Sequence, residues 1–365
     1  MKRKKVVWLY FVVCSLFFIS LADAEAAWND KIALEFGITG VLQSTAGNDT
    51  ASTDDQIDYG FSADLTLIGE LAPGHSLNLV WEAGEGDAAG DNLGARTTPN
   101  GDGADSALVT NVTQAFYESE YLEGKLILSV GKYDVHGITD TNEYANDETS
   151  QFLNSLFIRS AGLSVPEIGA VPSVAIQVQP VDLLSFVYSY SNSDGEDVGN
   201  EAYQQVELGI HPSFGGLSGN YRVGYVKHGA SYTDVVDGSA KDNTALFVSV
   251  DQAISSNTGV FFRYAKSDEN LVENEIKSTT SFGLSSNGAM FGRQDDTMGI
   301  AYGKVELNEK VVTSFNEGEK VVEAYYNYTV NENMAITIDA QSFQDLERAD
   351  NRNVTVIGAR MNAAF

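Results

Sequence analysis

The chain has 365 residues, a formal net charge of −29 and one cysteine, Cys14. A chain this acidic is a poor partner for nucleic acid, because phosphate binding needs clustered lysine and arginine. Its 34 glycines, 18 phenylalanines and 17 tyrosines suit many strands joined by turns better than they suit a helical bundle.

The first 24 residues have the three-part layout of a secretory signal peptide. Residues 2–5 are basic, residues 6–21 are apolar, and Ala22-Asp23-Ala24 provides a small-x-small cleavage site. A membrane-anchor helix is the alternative, but the apolar stretch is shorter than the roughly 20 residues that a spanning helix needs. Removing residues 1–24 would take away Cys14 and shift the net charge from −29 to −32, since four basic side chains and one acidic side chain are lost. We therefore expect a mature chain without disulfides, thiolate catalysis or cysteine-bound metal.

A period-two alternation of apolar and polar residues predicts sixteen strands in the rest of the chain. An even number of such strands is typical of single-chain bacterial barrels, and a membrane admits only helices and closed barrels. We predict an all-β fold, a transmembrane antiparallel β-barrel over residues 25–365, in the outer membrane of a Gram-negative bacterium. The predicted strands cover residues 32–44, 57–70, 76–84, 107–121, 125–133, 172–179, 183–190, 203–211, 219–227, 244–252, 258–266, 278–285, 295–306, 319–330, 333–343 and 353–365.

The last strand shows this alternation most clearly. Phe365, Ala363 and Met361 fall on one face, whereas Asn362 and Arg360 fall on the other. A final amphipathic strand that ends on an aromatic residue is what outer-membrane barrels present to the barrel-assembly machinery, so we expect that partner. Alternation alone leaves a soluble β-sandwich open, because half-buried strands in a sandwich alternate too.

The connections between the predicted strands alternate between short and long. Barrels of this class have short periplasmic turns and longer external loops. This rule predicts that both termini are periplasmic and that the longest connection, 134–171, is the third external loop. Two predicted periplasmic turns, 212–218 and 286–294, are longer than ideal. The clearest examples are 71–74, 122–124, 180–182 and 331–332 on the short side, and 45–56 and 85–106 on the long side.

Three segments resemble the OprB-type carbohydrate-selective porins. Together with the strand layout, the resemblance spans essentially the whole mature chain. It implies a sixteen-stranded passive diffusion channel for monosaccharides and other small polar solutes, with the third external loop folded into the lumen. The longest match comprises Gly131-Lys132-Tyr133-Asp134, Asp140-Thr141-Asn142-Glu143-Tyr144-Ala145-Asn146-Asp147 and Gln151-Phe152-Leu153-Asn154; the supporting matches are Gly292–Ile300 and Glu319–Tyr326.

Polar and aromatic residues of this loop are the candidates for the channel constriction and for solute contact. A loop of about 38 residues in a compact fold is normally functional. Amides and carboxylates would bond to sugar hydroxyls, and tyrosines would stack on a sugar ring. The alternative is that these side chains only hold the loop against the wall. The candidates are Tyr133, Asp134, His136, Asp140, Asn142, Tyr144, Asn146, Asp147, Gln151 and Asn154.

Three arginines fall on the predicted polar face of their strands, namely Arg222, Arg263 and Arg360. We expect them to be basic groups of the lumen wall. Paired with carboxylates, they would orient water and solute hydroxyls. Ion pairing that only holds the wall together is the alternative.

Enzymes and metal proteins fit the sequence less well. The mature chain has four histidines, His75, His136, His211 and His228, and none is flanked by a nucleophile elbow or by a second histidine at i+4. We therefore predict no catalytic residues, cofactor or metal. The aspartate-rich loops do not match a calcium-binding EF-hand loop, so we expect solvated loops. A further hypothesis is that their carboxylates meet divalent ions that bridge lipopolysaccharide.

The identity of the solute stays open at this point. A general cation-preferring porin or a siderophore-type receptor barrel without sugar selectivity is the alternative function, and a barrel with a plugged lumen is another. The acidic composition favours cations and neutral solutes over anions.

Overall fold

The computed structural model describes residues 31–47, 55–104, 108–159, 168–193, 201–312, 318–346 and 352–365. The predicted signal peptide, residues 1–24, lies outside the described residues. In the part of the chain that is described, no helix combines the length and the hydropathy of a membrane-spanning helix.

The described residues contain seventeen strands and four helices of at most four residues. The ninth strand has two residues and pairs only with Leu217 and Ser218 at the start of the tenth. The helices are Gly90–Leu93, Val135–Ile138, Ser155–Ile158 and Ala289–Phe291. The strands are β1 Ile32–Ala46, β2 Ile57–Ala72, β3 His75–Glu85, β4 Val109–Tyr121, β5 Leu126–Tyr133, β6 Val171–Val181, β7 Leu184–Asn192, β8 Ala202–Ile210, β9 Ser213–Phe214, β10 Leu217–Thr233, β11 Ala240–Ala253, β12 Thr258–Ser267, β13 Ile276–Gly288, β14 Arg293–Leu307, β15 Lys320–Asn331, β16 Met334–Leu346 and β17 Arg352–Ala364.

The sheet closes on itself as a sixteen-stranded antiparallel barrel. Each long strand pairs with its neighbours in the chain, and β1 pairs with both β2 and β17. At the seam, the N–H of Phe36 donates to the carbonyl of Phe365 at 2.9 Å, and the N–H of Phe365 donates back at 2.8 Å. Among the described strands, closure leaves no open sheet edge, which is what a sheet in lipid requires.

The two faces of the wall differ in polarity. Large apolar side chains such as Leu34 and Ile338, each 58% exposed, point outward. Buried polar side chains such as Gln43, Glu207 and Asp339 alternate with them and point inward. An apolar outer belt around a polar interior is the pattern of a membrane barrel.

The sixteen predicted strands correspond one to one with the sixteen barrel strands. The largest difference is the hairpin of β10 and β11, which we predict as 219–227 and 244–252 and which extends to Thr233 and back from Ala240. The extension follows a register shift between His228 and Tyr232. Beyond this irregularity the regular two-residue alternation no longer marks the strand, so the pattern did not reveal the extension.

Candidate functional site

Carboxylates of the barrel wall hold the main chain of residues 134–159, which we call the β5–β6 segment. Glu207, on the inner face of β8, accepts the backbone N–H of Asp140 at 2.7 Å. Glu323, on the inner face of β15, accepts the N–H groups of Leu153 at 2.6 Å and Asn154 at 3.0 Å. The wall therefore binds the segment through its backbone.

Arginines of the wall hold the backbone carbonyls of the same segment. Arg263 donates to the carbonyl of Asp140 at 2.8 Å and pairs with the Asp140 carboxylate at 3.3 Å. Arg360 donates to the carbonyls of Glu148 at 2.6 Å and Gln151 at 3.0 Å. Both guanidinium side chains are about 1% exposed. Their charge is therefore used to fix the segment and is not open to solvent.

The third predicted arginine, Arg222, has the same kind of role. It lies on the inner face of β10, donates to the carbonyl of Thr141 at 3.1 Å and pairs with Asp251 at 3.1 Å. Its side chain keeps 13% of its surface exposed. All three predicted lumen-wall arginines thus face inward, and each contacts the β5–β6 segment.

Apolar packing adds to these polar contacts. The ring of Phe152 lies 4.8 Å from that of Tyr325 and 5.6 Å from that of Phe261, centroid to centroid. On the wall, Gly259 faces the ring of Tyr144, and a Cβ at that position would overlap the ring. A glycine on the inner face therefore leaves the space that an aromatic side chain of the segment occupies.

Five of the ten predicted contact residues are buried by the segment or the wall. Asn154 is fully buried and donates to Gln341 at 3.1 Å. Asn142 donates to Ser249 at 3.3 Å. The buried five are Tyr133, His136, Asp140, Asn142 and Asn154.

The other five are partly exposed, and four of them shape the segment itself. The carboxylate of Asp134 accepts the N–H of His136 at 2.9 Å and pairs with Arg159 at 3.0 Å. Gln151 accepts the N–H groups of Asn146 and Asp147. These contacts support the alternative that many of the ten hold the loop, and their contact with solute stays a prediction. The five are Asp134, Tyr144, Asn146, Asp147 and Gln151.

A second segment, residues 86–104, also belongs to the site, although the sequence did not lead us to predict it. We call it the β3–β4 segment. Gln43 and Gln341 of the wall both donate to the carbonyl of Pro99, at 2.8 and 2.7 Å. The N–H of Gly101 donates to the carbonyl of Leu153 at 2.6 Å, which joins the two segments. The sequence offered one signal, since 85–106 is the second longest predicted connection.

The two segments enclose a polar cavity of about 460 Å³. Two arginines, two carboxylates and three hydroxyls line it, and this is a mixture that can both donate to and accept from a hydroxylated molecule. The volume lies in the usual range of small-molecule pockets. These lining residues are Asp87, Arg96, Thr97, Thr98, Glu148, Ser155 and Arg159.

An adjoining cavity of about 350 Å³ shares Gly101 and Glu148 with the first and is strongly acidic. Asp64, Glu82 and Asp102 also line it. Burial raises the pKa of Asp102 to about 7, although the Ser62 hydroxyl, which donates to it at 2.6 Å, acts in the opposite direction. Burial also raises the pKa of Glu148. The negative charge of this cavity therefore depends on pH near neutrality.

No group of three or more histidine, cysteine, aspartate or glutamate residues is arranged to hold a metal ion within the described ranges. The polar groups of both cavities suit binding and passage of a hydroxylated solute.

Comparisons with known proteins agree with this geometry. A profile described as "Carbohydrate-selective porin, OprB family" matches residues 48–365. An uncharacterised protein of Aquifex aeolicus (strain VF5) is 25% identical over 307 residues, which are 83% of this chain and 84% of that protein.

Two solved porins show the same fold at low sequence identity. The high-pH structure of Pseudomonas putida OprB has a TM-score of 0.80 at 15% identity, over 92% of this chain and 94% of that one. An anion-selective porin from Comamonas acidovorans has a TM-score of 0.57 at 11% identity, over 92% of this chain and all of that one. The resemblance indicated by the three motifs is thus confirmed. The chain belongs to the OprB family of carbohydrate-selective porins and is an outer-membrane β-barrel channel.

Proposed function

We propose that this porin lets monosaccharides and other small polar solutes diffuse passively, and that its β3–β4 and β5–β6 segments together form the constriction. The observation that carries the proposal is the 460 Å³ polar cavity between the two segments. Both segments are bonded to inward-facing side chains such as Gln43 and Glu323. They are therefore fixed at a defined position relative to the wall.

The two arginines that line this cavity are paired. Arg159 pairs with Asp134 at 3.0 Å, and Arg96 pairs with Glu275. A neutral sugar can exchange hydrogen bonds with such groups without separating an ion pair. An anion gains less, because each guanidinium already has a carboxylate partner. Contacts of this kind are individually weak, and conduction requires weak contacts so that the solute can leave.

A general cation-preferring porin is the second candidate function. The 350 Å³ cavity favours it, because Asp64, Glu82, Asp102 and Glu148 all line that space. Carboxylates along a pore raise the local concentration of cations. The two candidates are compatible in one channel, and they differ in whether sugar occupies the constriction.

Single-channel conductance in a planar bilayer tests both. We expect glucose to block the open channel in a concentration-dependent way, whereas an amino acid at equal concentration does not. Conductance that no sugar affects would reject sugar selectivity and leave the cation-preferring channel. A reversal potential under a salt gradient then reports the preference for cations. No conductance from folded protein would reject both.

We infer the signal peptide, the orientation of the barrel and its partners from the sequence pattern and the strand layout. Residues 1–24 are proposed as the signal peptide and residues 25–365 as the barrel. The connections 73–74, 182–183 and 332–333 lie at one end of the barrel and are short, which supports a periplasmic position for that end and for both termini. Phe365 supports recognition by the barrel-assembly machinery, and the outer leaflet implies contact with lipopolysaccharide. The polar residues of the site have binding roles in this proposal, with no catalytic step.

A further inference from the structure

A third cavity lies at the opposite side of the β5–β6 segment. It has a volume of about 190 Å³ and is bounded by Ile138 and Thr141 of the segment. Its other boundary includes Gly124, in the turn between β4 and β5, and His211, just after β8. It therefore lies between the segment and the end of the barrel with short turns. The 460 Å³ cavity contacts a different part of the segment, residues 148–159.

Polar side chains of four neighbouring strands converge on this cavity. Gln177 from β6, Ser185 from β7, Glu207 from β8 and Arg222 from β10 line it on the inner face. Ile127 of β5 adds an apolar surface. Amide, hydroxyl, carboxylate and guanidinium groups thus meet within one small space. Such convergence on a preformed cavity is the usual form of a small-molecule site.

Several of these groups keep hydrogen-bonding capacity. Among the residues that the structure describes, the amide of Gln177 has no hydrogen-bond partner, and it is half-buried. Glu207 uses one oxygen to accept the N–H of Asp140 at 2.7 Å. Its other oxygen lies 3.8 Å from Nε of Arg222, which is too far for a hydrogen bond. A ligand that both donates and accepts would satisfy these groups.

Neighbouring contacts fix the shape of the cavity. The two ring nitrogens of His211 lie 2.8 Å from the Ser185 hydroxyl and 2.7 Å from the Asn220 amide oxygen. The Arg222 guanidinium is anchored on the carbonyl of Thr141. Side chains held in this way need little reordering when a ligand binds.

We propose that this cavity is a second sugar subsite, which binds the hydroxyl groups of a monosaccharide after it has passed the constriction. The subsite rests on the proposed function, because it needs sugar to enter the channel. The Arg222 guanidinium that lines it lies between two carboxylates, Glu207 at 3.8 Å and Asp251 at 3.1 Å, so that an anion gains little there and a neutral polyol fits better. The amide of Gln177 and the free oxygen of Glu207 bond to adjacent hydroxyls, and Ile127 packs against the C–H face of the ring.

The test is glucose block of single channels carrying Gln177→Leu, with glucose added on one side of the bilayer at a time. Leucine removes the amide and keeps the size of the side chain. We expect the half-blocking concentration to rise about five-fold for glucose added on the short-turn side, which corresponds to one hydrogen bond of roughly 1 kcal/mol. We expect a smaller change for the other side. Gln294→Leu is the matched control, because Gln294 is exposed at the start of β14 and does not line the cavity.

The outcomes separate the subsite from the channel. If glucose blocks the wild-type channel and Gln177→Leu behaves like the wild type from both sides, the subsite is rejected and the proposed function stands. If glucose blocks neither channel, the proposed function is rejected, and the subsite with it. Should Gln177→Leu fail to fold, Gln179→Ala changes a more exposed residue of the same cavity. That variant must then show the same one-sided rise for the subsite to stand.

Discussion

The carboxylate of Glu323 accepts the backbone N–H of Leu153 at 2.6 Å, across 170 residues of sequence. The same carboxylate accepts the next N–H, that of Asn154, at 3.0 Å. Glu323 is fully buried on the inner face of β15. One wall carboxylate thus holds two consecutive peptide groups of the β5–β6 segment, and this part of the proposed constriction depends on it.

Replacing Glu323 with leucine should loosen the constriction. Each buried N–H left without an acceptor costs about 1–3 kcal/mol, so the segment should leave its place on the wall. We expect a higher single-channel conductance and entry of disaccharides that the wild type excludes. Liposome swelling with glucose and maltose measures the second effect.

The matched control for this change is Glu118→Gln. Glu118 lies on the inner face of β4 and accepts the hydroxyl of Ser129, a residue of the neighbouring strand, at 3.1 Å. Its replacement should leave the exclusion of maltose unchanged. Glu323→Gln keeps one carbonyl acceptor and should show an intermediate effect. Equal exclusion of maltose by the wild type and Glu323→Leu would show that the carboxylate does not position the segment.

A methyl group at Gly259 should destabilise the protein, because a Cβ there would overlap the ring of Tyr144. Overpacking of this kind costs typically about 1–3 kcal/mol. We expect Gly259→Ala to lower the temperature at which the folded band disappears in a heat-modification gel. Gly37→Ala is the control, since its Cβ would meet only the Asp64 carboxylate at 3.7 Å. Equal melting of both variants would mean that the Tyr144 ring moves aside without cost.

The charge selectivity of the channel should change with pH through Asp102. Its pKa is raised by burial to about 7, so the carboxyl is neutral in mild acid and charged above neutrality. We expect the permeability ratio of cations to anions to rise between about pH 6 and about pH 8. Reversal potentials under a salt gradient measure this ratio. Asp102→Asn should flatten the rise, whereas Asp182→Asn, at an exposed turn, should not.

The raised pKa of Asp102 should also affect the stability of the protein. An unfolded chain ionises this carboxyl near its ordinary pKa of 3.8, whereas the folded protein holds the proton up to about pH 7. Folding is therefore opposed by this group above about pH 7, and the penalty disappears as the pH falls toward about 4. As the pH rises from about 4 to about 7, Asp102→Asn should accordingly lose less thermal stability than the wild type. An unchanged pH profile of melting would contradict the assignment.

Loss of the terminal aromatic ring should impair assembly in cells more than stability in detergent. Phe365 and Phe36 exchange two main-chain hydrogen bonds, and these bonds remain in Phe365→Ser. We expect less assembled protein in outer-membrane fractions, while the refolded variant melts near the wild-type temperature. Ile357→Ala, on the outward face of the same strand, is the control. Normal assembly of Phe365→Ser would remove the proposed role of the ring.

The barrel could be predicted from the sequence because it rests on short-range regularities. A residue such as Ile338 faces lipid and its neighbour Asp339 faces the interior, and this two-residue period is visible without any long-range information. The lengths of the connections between strands also predict which connections are short turns and which are long loops. The extension of β10 to Thr233 escaped this reasoning, since it lies beyond the part of the strand with a regular alternation.

The site was only partly predictable, because its contacts join residues far apart in the chain. The two-residue alternation predicts that Arg263 and Arg360 face the interior of the barrel. It does not predict that they donate to backbone carbonyls of residues 140–157. The family motif drew attention to side chains such as Asn154, which is fully buried. The cavity lies instead against Glu148 and Arg159, between that motif and a segment without a motif.

Because the wall holds the β5–β6 segment by its peptide groups, the side chains that line the cavities are largely separate from those that anchor the segment. Glu148 illustrates this: its carbonyl bonds to Arg360 at 2.6 Å, while its side chain lines both cavities. A residue at such a position can be exchanged without removing its anchor. Engineered changes of selectivity at Glu148 should therefore be tolerated, and related channels can differ in the solutes they admit while their barrels and anchoring contacts stay the same.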